Sequence, residues 1–452
     1  MALQKLVKGE TDWHNKVNAN FESVLKDAKK IAQDTAANDK VPKPVAQTLD
    51  EGYLYQNNDG TTKLMHSGDV FGRFKYSFIM DNGNDGNPAS ITYADDAYGM
   101  TPASADDLGD WGNTDLVKEY FKPCVIKPGA SAPEYYLRRD NYNYKADNSP
   151  SVLTGEDGDV MIEVKPLYAR FVKSGTNLKV SIMNWKEFDD CICFNEFDGE
   201  IQPVMYRGAY KAGVLTDAPT VLRSISGVVP LVNKTRANFR TYANNRGNEY
   251  FQNEIYMLFL WQLMYLLMYK NRNSQSALGQ GRTLGSNTQA EACGYMNDKP
   301  FCYGDQTGTM GVKFLGVEDF YGNVWEMVDG CTLVNDVYKL TRYKARHNDT
   351  GSSAEISIAS GLSAEAGDHS KYLKAVQGTN DAMFLPAQVG GSSSTFFCDY
   401  FWIADATQIV VFGGCWDKGA HAGAFCWELY DGAGTAYPTF GSRLCRKKYV
   451  AS

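Results

Sequence analysis

The sequence has few of the residues that hold metal ions in proteins. Its five histidines are isolated from one another, and its ten cysteines include no Cys-x-x-Cys pair. A zinc or redox centre needs several such ligands within reach of one another. No metal site and no cofactor are therefore predicted, and the cysteines are expected to be free thiols.

Positive charge and long apolar runs are also scarce. The formal net charge of −8 excludes the basic surface typical of proteins that bind nucleic acid or anionic membranes. One apolar run, residues 255–269, covers 15 residues, fewer than the roughly 20 that a membrane-spanning helix needs. A buried core helix is predicted there. The first ten residues lack the apolar core and cleavage site of a secretory signal, so we expect synthesis in the cytoplasm.

Motifs for catalysis are missing as well. The GQGR sequence at 279–282 follows a helical pattern and lacks the third glycine of a phosphate-binding loop. The serines at 392–394 lack a Gly-x-Ser-x-Gly turn. The Asp/Asn/Gly cluster at 81–86 lacks the oxygen ligands of an EF-hand and is predicted to be a turn. No catalytic residue is assigned, and an enzyme is not expected.

Aromatic residues and glycines are abundant. Aromatic residues make up 13% of the chain, and there are 42 glycines, which favours short strands and tight turns. Near the N-terminus, residues 12–37 are predicted to form a helix that belongs to an attachment segment at 1–48. The apolar positions of this helix are spaced alternately four and three residues apart, as in a short coiled-coil seam: Val17, Phe21, Val24, Ala28 and Ile31.

Two further parts are predicted after the attachment segment. Residues 49–150 show short apolar stretches broken by Asp, Asn, Gly and Pro, the pattern of a small β-rich domain. From Asp159 onward, alternating strands, one apolar helix and long Gly/Ser/Asn-rich loops indicate a single large domain at 151–452.

Three motifs in the large domain carry a family resemblance. The stretch 316–328 contains Gly-Asn-Val-Trp-Glu at 322–326, and Gly-Gly-Cys-Trp at 413–416 and Gly-Ser-Arg-Leu at 441–444 follow. Together they resemble the formylglycine-generating-enzyme and sulfatase-modifying family, a variant of the C-type-lectin fold. The resemblance implies an α+β, C-type-lectin-like C-terminal domain of this subtype, preceded by the β-rich region and the N-terminal helix.

The catalytic pattern of that family is broken here. Its enzymes use paired cysteines after the Gly-Gly step to bind copper, whereas Cys415 stands on a usual Ser position and Cys426 lies further along the chain. The family also binds a structural cation, which would map to Gly322, Val324 and Glu326. Tyr321 stands where a ligating Asn is common, so no metal is assigned.

A second resemblance is closer. Residues 413–444 resemble the variable region of proteins diversified by retroelements, in which a lectin fold holds a fixed frame and adenine-directed mutagenesis rewrites surface positions. The chain retains the residues of that frame: Gly413, Gly414, Trp416, Gly419, Ala422, Gly423, Ala424, Phe425, Trp427 and Leu429. Trp416, Phe425 and Trp427 are expected to bury their rings, so that the rewritten neighbours project outward.

The departures from the frame follow a chemical rule. Randomising both adenines of an Asn codon that ends in C yields residues such as Cys, Asp, His, Tyr, Phe and Thr, but never Lys or Glu. Lys418 and Glu428 therefore need other codons. The predicted ligand-binding surface within 413–445 consists of the departing positions: Cys415, Asp417, Lys418, His421, Cys426, Glu428, Tyr430, Asp431, Tyr437, Thr439 and Phe440.

The upstream sequence is similar to phage tail proteins at 11–22, 159–166 and 206–210. The resemblances together imply a phage tail-tip or tail-fibre receptor-binding protein, located in the virion and assembled as a homotrimer. Its expected partners are a bacterial surface receptor and, through the N-terminus, other tail proteins. Two alternatives stay open: a formylglycine-generating-like copper oxidase and a calcium-dependent carbohydrate-binding lectin.

Overall fold

The computed structural model describes residues 43–49, 52–56, 62–66, 72–284, 289–362, 370–404 and 406–449. The helix predicted at 12–37 lies outside the described residues. The first described strands form a three-stranded antiparallel sheet: Lys43–Leu49, Gly52–Gln56 and Thr62–His66.

The described chain is mostly β-sheet with few helices. The α+β class predicted from the sequence therefore applies only loosely, because strands provide most of the regular structure. The α-helices of the described residues are Asp115–Tyr120, Arg236–Asn244, Ile255–Tyr269 and Ser274–Ala277. Short 3-10 helices lie at Gly109–Asn113, Lys344–Arg346 and Gly419–His421.

Two sheets combine strands from both sides of residue 150. The five-stranded sheet contains, in spatial order, Ile192–Cys193, Tyr168–Ser174, Asn177–Met183, Lys75–Asp81 and Ile91–Asp95. The six-stranded sheet contains Tyr250–Gln252, Arg443–Lys447, Met205–Lys211, Asp159–Val164, Phe121–Ile126 and Tyr135–Tyr136. The boundary predicted at 150 thus falls inside both sheets. Strands before it pair with strands that follow it: Lys75–Asp81 with Asn177–Met183, and Phe121–Ile126 with Asp159–Val164.

The third major sheet, called here the large sheet, has nine strands. Eight follow one another in spatial order: Ile356–Ala359, Val337–Leu340, Trp325–Val334, Thr407–Phe412, Trp427–Leu429, Tyr400–Ile403, Ser370–Val376 and Pro386–Val389. The ninth strand, Phe440–Gly441, pairs in parallel with Trp325–Val334. Short two-stranded pairs complete the β structure: Glu196–Phe197 with Glu200–Ile201, Gly213–Leu215 with Ala218–Arg223, and Lys313–Phe314 with Val317–Glu318.

The apolar run at 255–269 forms the predicted core helix. Every residue of Ile255–Tyr269 is buried. The Glu254 side chain caps its first turn by accepting hydrogen bonds from the backbone N–H groups of Tyr256 (3.0 Å) and Met257 (2.7 Å), and Lys270 ends it in a left-handed conformation. Within the residues that the structure describes, no helix is both long and apolar enough to cross a membrane.

The turn predicted at 81–86 is held by an arginine from the end of this helical region. The Arg272 guanidinium donates to the backbone carbonyls of Asp81 (2.9 Å), Asp85 (2.7 Å) and Asn87 (2.6 Å). A fixed positive charge therefore occupies the carbonyl-lined centre of this loop, which supports its role as a structural turn.

Residues of the sequence motifs at 206–210, 322–326 and 441–444 meet at one buried carboxylate, that of Glu326. The side chain of Glu326 is fully buried and accepts hydrogen bonds from Arg207 (3.2 Å), Lys211 (3.0 Å) and Arg443 (2.9 Å), and also from Asn253 (2.6 Å). Burial opposes ionisation, but the three cations hold the pKa of Glu326 well below its usual range. We call these five residues the Glu326 cluster.

The Glu326 cluster also bears on the structural cation of the resembled family. Both carboxylate oxygens of Glu326 already accept hydrogen bonds from positively charged side chains. A metal ion bound to the same oxygens would face three neighbouring positive charges, so these residues do not fit that cation. The motif residues here serve to join three strands of the core.

Candidate binding surface

The predicted binding segment lies along the large sheet and its edge. It begins after the strand Thr407–Phe412, continues through Gly419–His421 and Trp427–Leu429, and reaches Phe440–Gly441. Loops separate these elements. Trp427–Leu429 is a central strand of the large sheet, and Phe440–Gly441 pairs with Trp325–Val334. The sheet therefore fixes the course of the segment at several points.

The backbone of the first half is tied to the surrounding scaffold. Its hydrogen bonds to fixed scaffold atoms are Gly322 N to Gly413 O (3.1 Å), Trp416 N to Asn323 O (3.0 Å), Gly419 N to Thr283 O (2.8 Å), Gln275 Nε2 to Gly419 O (2.8 Å), Ala424 N to Ser274 Oγ (2.9 Å), Gln262 Nε2 to Ala424 O (2.7 Å) and Phe425 N to Asp399 Oδ2 (2.7 Å). None of these bonds uses a side chain of the segment, so they place no requirement on which side chains it carries.

The second half is tied in the same way at its predicted variable positions. The backbone carbonyls of Asp431, Tyr437 and Thr439 accept hydrogen bonds from scaffold N–H groups, those of Ile409 (2.9 Å), Asn233 (3.0 Å) and Trp325 (2.9 Å), respectively. These backbone carbonyls are present whichever side chain the residue carries. The path of the chain is therefore set independently of the residue types that it displays.

The retained frame is mainly buried, as the resemblance implies. Phe425 and Trp427 are fully buried, and Phe425 packs against Phe397 with ring centroids 4.9 Å apart. A Cβ atom on Gly414 would stand 2.6 Å from the Cβ of Ala422, so this close approach requires glycine. Trp416 differs from the expectation, since its side chain is only half-buried.

Seven of the eleven predicted positions reach the surface. Tyr430 and Tyr437 are 49% and 48% exposed, and Asp417 is exposed. The remaining four are partly exposed: Lys418, His421, Asp431 and Thr439. The structure thus brings these seven side chains to the outside of a segment whose backbone and frame are fixed.

The two cysteines of the segment were predicted to lie on the binding surface, and this prediction is wrong. Cys415 and Cys426 are both fully buried in a small apolar cluster with Trp325, Met327 and Phe440. A neutral thiol packs as a small hydrophobic group, which explains why this cluster accepts both cysteines. Neither thiol can contact a ligand in this structure.

These cysteines also bear on the copper-oxidase alternative. Burial raises the pKa of both thiols, and the hydrogen bond from Cys415 to Asp417 (3.0 Å) adds to the effect at Cys415. Metal binding needs thiolates, which this environment disfavours. The described residues hold no group of three or more His, Cys, Asp or Glu side chains arranged to bind a metal ion.

Glu428 and Phe440 were also predicted to lie on the binding surface, but both are buried. They are 8% and 3% exposed. Phe440 packs edge-on against Tyr437, with ring centroids 5.2 Å apart, and Glu428 accepts a hydrogen bond from the backbone N–H of Tyr430 (2.9 Å). These two side chains lie beneath the exposed tyrosines and support them.

Glu428 carries a testable pH dependence. Burial, with a contribution from the charge of Asp431, raises the pKa of Glu428 from 4.5 to about 8. A carboxyl whose folded-state pKa is raised binds its proton more tightly in the folded state, so its contribution to stability is complete below its unfolded pKa and is lost as the pH rises through its folded pKa. From about pH 4.5 to about pH 8 we expect the Tm of the wild type to fall more than that of Glu428→Gln, whose amide does not titrate.

Thermal unfolding followed by circular dichroism at intervals of pH measures this difference. Every other titrating group is shared by the two proteins, so the difference between their Tm profiles isolates Glu428. Superimposable profiles would contradict a raised pKa at this position.

Three aromatic residues beside the segment were missed from the sequence. Tyr372, Tyr400 and Trp402 are partly exposed and lie on two strands of the large sheet, Ser370–Val376 and Tyr400–Ile403. The sequence gives one signal, the Tyr-Phe-Trp-Ile alternation at 400–403, but aromatic residues occupy both of its faces. Only the strand pairing shows which of them point outward.

Comparison with known proteins gives only distant similarity. No family model matches the chain, and no curated protein matches it. Among solved structures, it is similar to PvdO from Pseudomonas aeruginosa, with 10% identity, 66% of this chain and 99% of that chain covered, and a TM-score of 0.26. It is also similar to two Major Tropism Determinant variants. For the P3c variant the identity is 12%, the coverage 87% and 92%, and the TM-score 0.29. For the M1 variant the identity is 10%, the coverage is 92% of this chain and 85% of that chain, and the TM-score is 0.28.

Proposed function

We propose that this chain is a phage tail receptor-binding protein that attaches a virion to a bacterial surface receptor through the exposed side chains of 413–445. The domain that carries this surface is proposed to be C-type-lectin-like, of the subtype that the sequence motifs resemble. The protein acts by binding and not by catalysis. The finer elements of this proposal, variation by a retroelement and assembly as a homotrimer, rest on the sequence resemblance.

One observation carries the proposal. The backbone of the segment is bonded to fixed scaffold atoms while seven of its predicted variable side chains reach solvent. Exposed substitutions generally change stability by no more than about 0.5 kcal/mol, so such a segment tolerates replacement of its outward side chains. This property suits a surface that must change its ligand without losing its fold.

The residue types on the surface also suit recognition. Tyr430 and Tyr437 offer large contact area with few rotatable bonds, and Asp417, Lys418 and Asp431 offer charges of both signs. Interfaces concentrate their binding free energy in such aromatic residues and use surrounding polar groups for selectivity. Display in several copies on one virion would strengthen a modest affinity at each site.

Binding to bacterial cells tests the proposal. The full chain, fluorescently labelled, is incubated with a panel of bacterial strains, and cell-bound fluorescence is titrated against protein concentration on a strain that it labels. We expect Tyr430→Ala and Tyr437→Ala each to weaken binding tenfold or more, because each removes a large exposed contact.

Tyr98→Ala is the matched control, since Tyr98 is 52% exposed but lies outside the segment. Its binding should stay within about twofold of the wild type, which corresponds to about 0.4 kcal/mol. Unchanged Tm values for all three variants show that the fold is intact. Wild-type binding by both Tyr430→Ala and Tyr437→Ala would refute the proposed surface.

A further inference from the structure

A continuous row of aromatic rings joins the predicted segment to residues outside it. The row runs from Tyr372 to Tyr400 (centroids 4.9 Å apart), Trp402 (4.8 Å), Trp325 (5.7 Å), Phe440 (6.2 Å) and Tyr437 (5.2 Å). We call these six residues the aromatic row. Its two buried members, Trp325 and Phe440, link an exposed tyrosine of the segment to three partly exposed rings that no variable position supplies.

Strand pairing holds these three rings on one face of the large sheet. Tyr372 and Tyr400 are directly paired on neighbouring antiparallel strands, so their side chains point to the same side. Trp402, two residues after Tyr400, points to that side as well. It is also paired with Glu428 of the segment on the adjacent parallel strand. The constant rings and the segment therefore form one surface.

The segment also contacts the constant rings from above. The imidazole of His421 stacks on Tyr400 at 4.3 Å with an interplanar angle of 20° and meets Trp402 edge-on at 5.9 Å. The Lys418 ammonium lies 5.9 Å from the centre of the Trp402 ring. A residue exchanged at 421 would thus change how the Tyr400 ring is presented.

We propose that Tyr372, Tyr400 and Trp402 form a constant part of the receptor-binding surface and that the ligand of the whole surface is a folded protein on the bacterial cell. This inference rests on the proposed function and names its ligand class. The constant rings supply contact area that every variant shares, while the variable positions select among proteins.

The ring geometry favours a protein over a glycan. A sugar packs its C–H groups flat on an open aromatic face, but His421 covers one face of Tyr400 and Tyr372 stands at 85° to it. In this chain one face of Tyr400 is therefore covered, and the three rings meet one another edge to face. Tyrosines presented in this way, beside charges of both signs, are typical of protein-binding surfaces.

The test uses the full chain and the bacterial strain that it labels, with the cells divided into three portions. One portion is untreated, one is treated with proteinase K to remove surface protein, and one is oxidised with periodate to destroy glycans. We expect binding to fall at least tenfold after protease and to stay within twofold after periodate. Loss after periodate with retention after protease would overturn the ligand class.

Variants test the constant rings separately from the segment. Tyr372→Ala and Trp402→Ala are expected to weaken binding to untreated cells at least tenfold, and Tyr98→Ala should stay within twofold. Trp402→Phe is included because it keeps the packing against Trp325, and we expect it to lie between Trp402→Ala and the wild type. Wild-type binding by Tyr372→Ala and Trp402→Phe, with loss of binding in Tyr430→Ala, would overturn this inference and leave the proposed function intact. Loss in none of these variants would overturn both.

Discussion

Glu326→Gln is expected to lower the free energy of unfolding by about 3–5 kcal/mol, the range seen when one partner of a buried ion pair is removed. The amide would leave Arg207, Lys211 and Arg443 buried without a counter-charge. Burial already lowers the pKa of Arg207 to about 10 and of Lys211 to about 8 while Glu326 is present. Without the carboxylate we expect Lys211 to lose its proton in the folded state.

Urea unfolding followed by tryptophan fluorescence measures this effect. The control is Glu119→Gln, a carboxylate that is 50% exposed and lies near Lys122 and Lys165. Exposed ion pairs contribute about 0–1 kcal/mol, so this variant should unfold nearly as the wild type does. A loss below about 1 kcal/mol in Glu326→Gln would mean that the cluster does not hold the core strands together.

The Glu326 cluster shows what the sequence motifs at 322–326 and 441–444 do in the structure. Arg443 also donates to the backbone carbonyls of Gly208 (3.1 Å), Glu318 (3.0 Å) and Asp319 (3.0 Å). One guanidinium thus joins the last strand of the six-stranded sheet to the lead-in of the Gly-Asn-Val-Trp-Glu motif. In this chain the motif residues therefore help to fix the frame of the fold.

Local patterns in the sequence predicted local structure well. The 15-residue apolar run formed a core helix of the same bounds, because a helix that is apolar on all sides must be buried on all sides. Phe425 and Trp427 were likewise predicted to be buried. In each case the residues themselves carry the physical reason.

Burial within the candidate segment could not be read from residue types alone. Glu428 lies between Trp427 and Leu429 on a strand, so alternation would place it outward, yet its side chain is buried. Which side chains are covered depends on where the loop after Leu429 runs. That path is set by bonds to distant backbone groups such as those of Ile409 and Asn233.

Long-range strand pairing was the other missing information. Strand Lys75–Asp81 pairs with Asn177–Met183, and Phe121–Ile126 pairs with Asp159–Val164. The loop-rich composition between them suggested a boundary at 150, but a loop in the sequence does not show whether the strands on its two sides share a sheet. Pairing across such distances is a property of the whole fold.

Trp427→Ala is expected to cost about 3–5 kcal/mol of stability, as large-to-small changes of buried aromatic residues do. The indole is fully buried and packs against Phe412 with ring centroids 5.6 Å apart, at the centre of the large sheet. In contrast, Asp417→Ala and Tyr430→Ala should each cost no more than about 0.5 kcal/mol. Both side chains are exposed and the local backbone is bonded elsewhere, and the hydrogen bond that Asp417 accepts comes from a thiol, which is a weak donor.

Urea unfolding of the three variants provides the comparison. The loss of stability is expected to be large for Trp427→Ala and small for the two surface variants only if the frame residues, and not the displayed side chains, fix the backbone. A cost above about 2 kcal/mol for Asp417→Ala or Tyr430→Ala would show that the displayed side chains help to hold the fold. Exchange at those positions would then disturb the surface itself, and a binding protein that varies by such exchange could not be built on this segment.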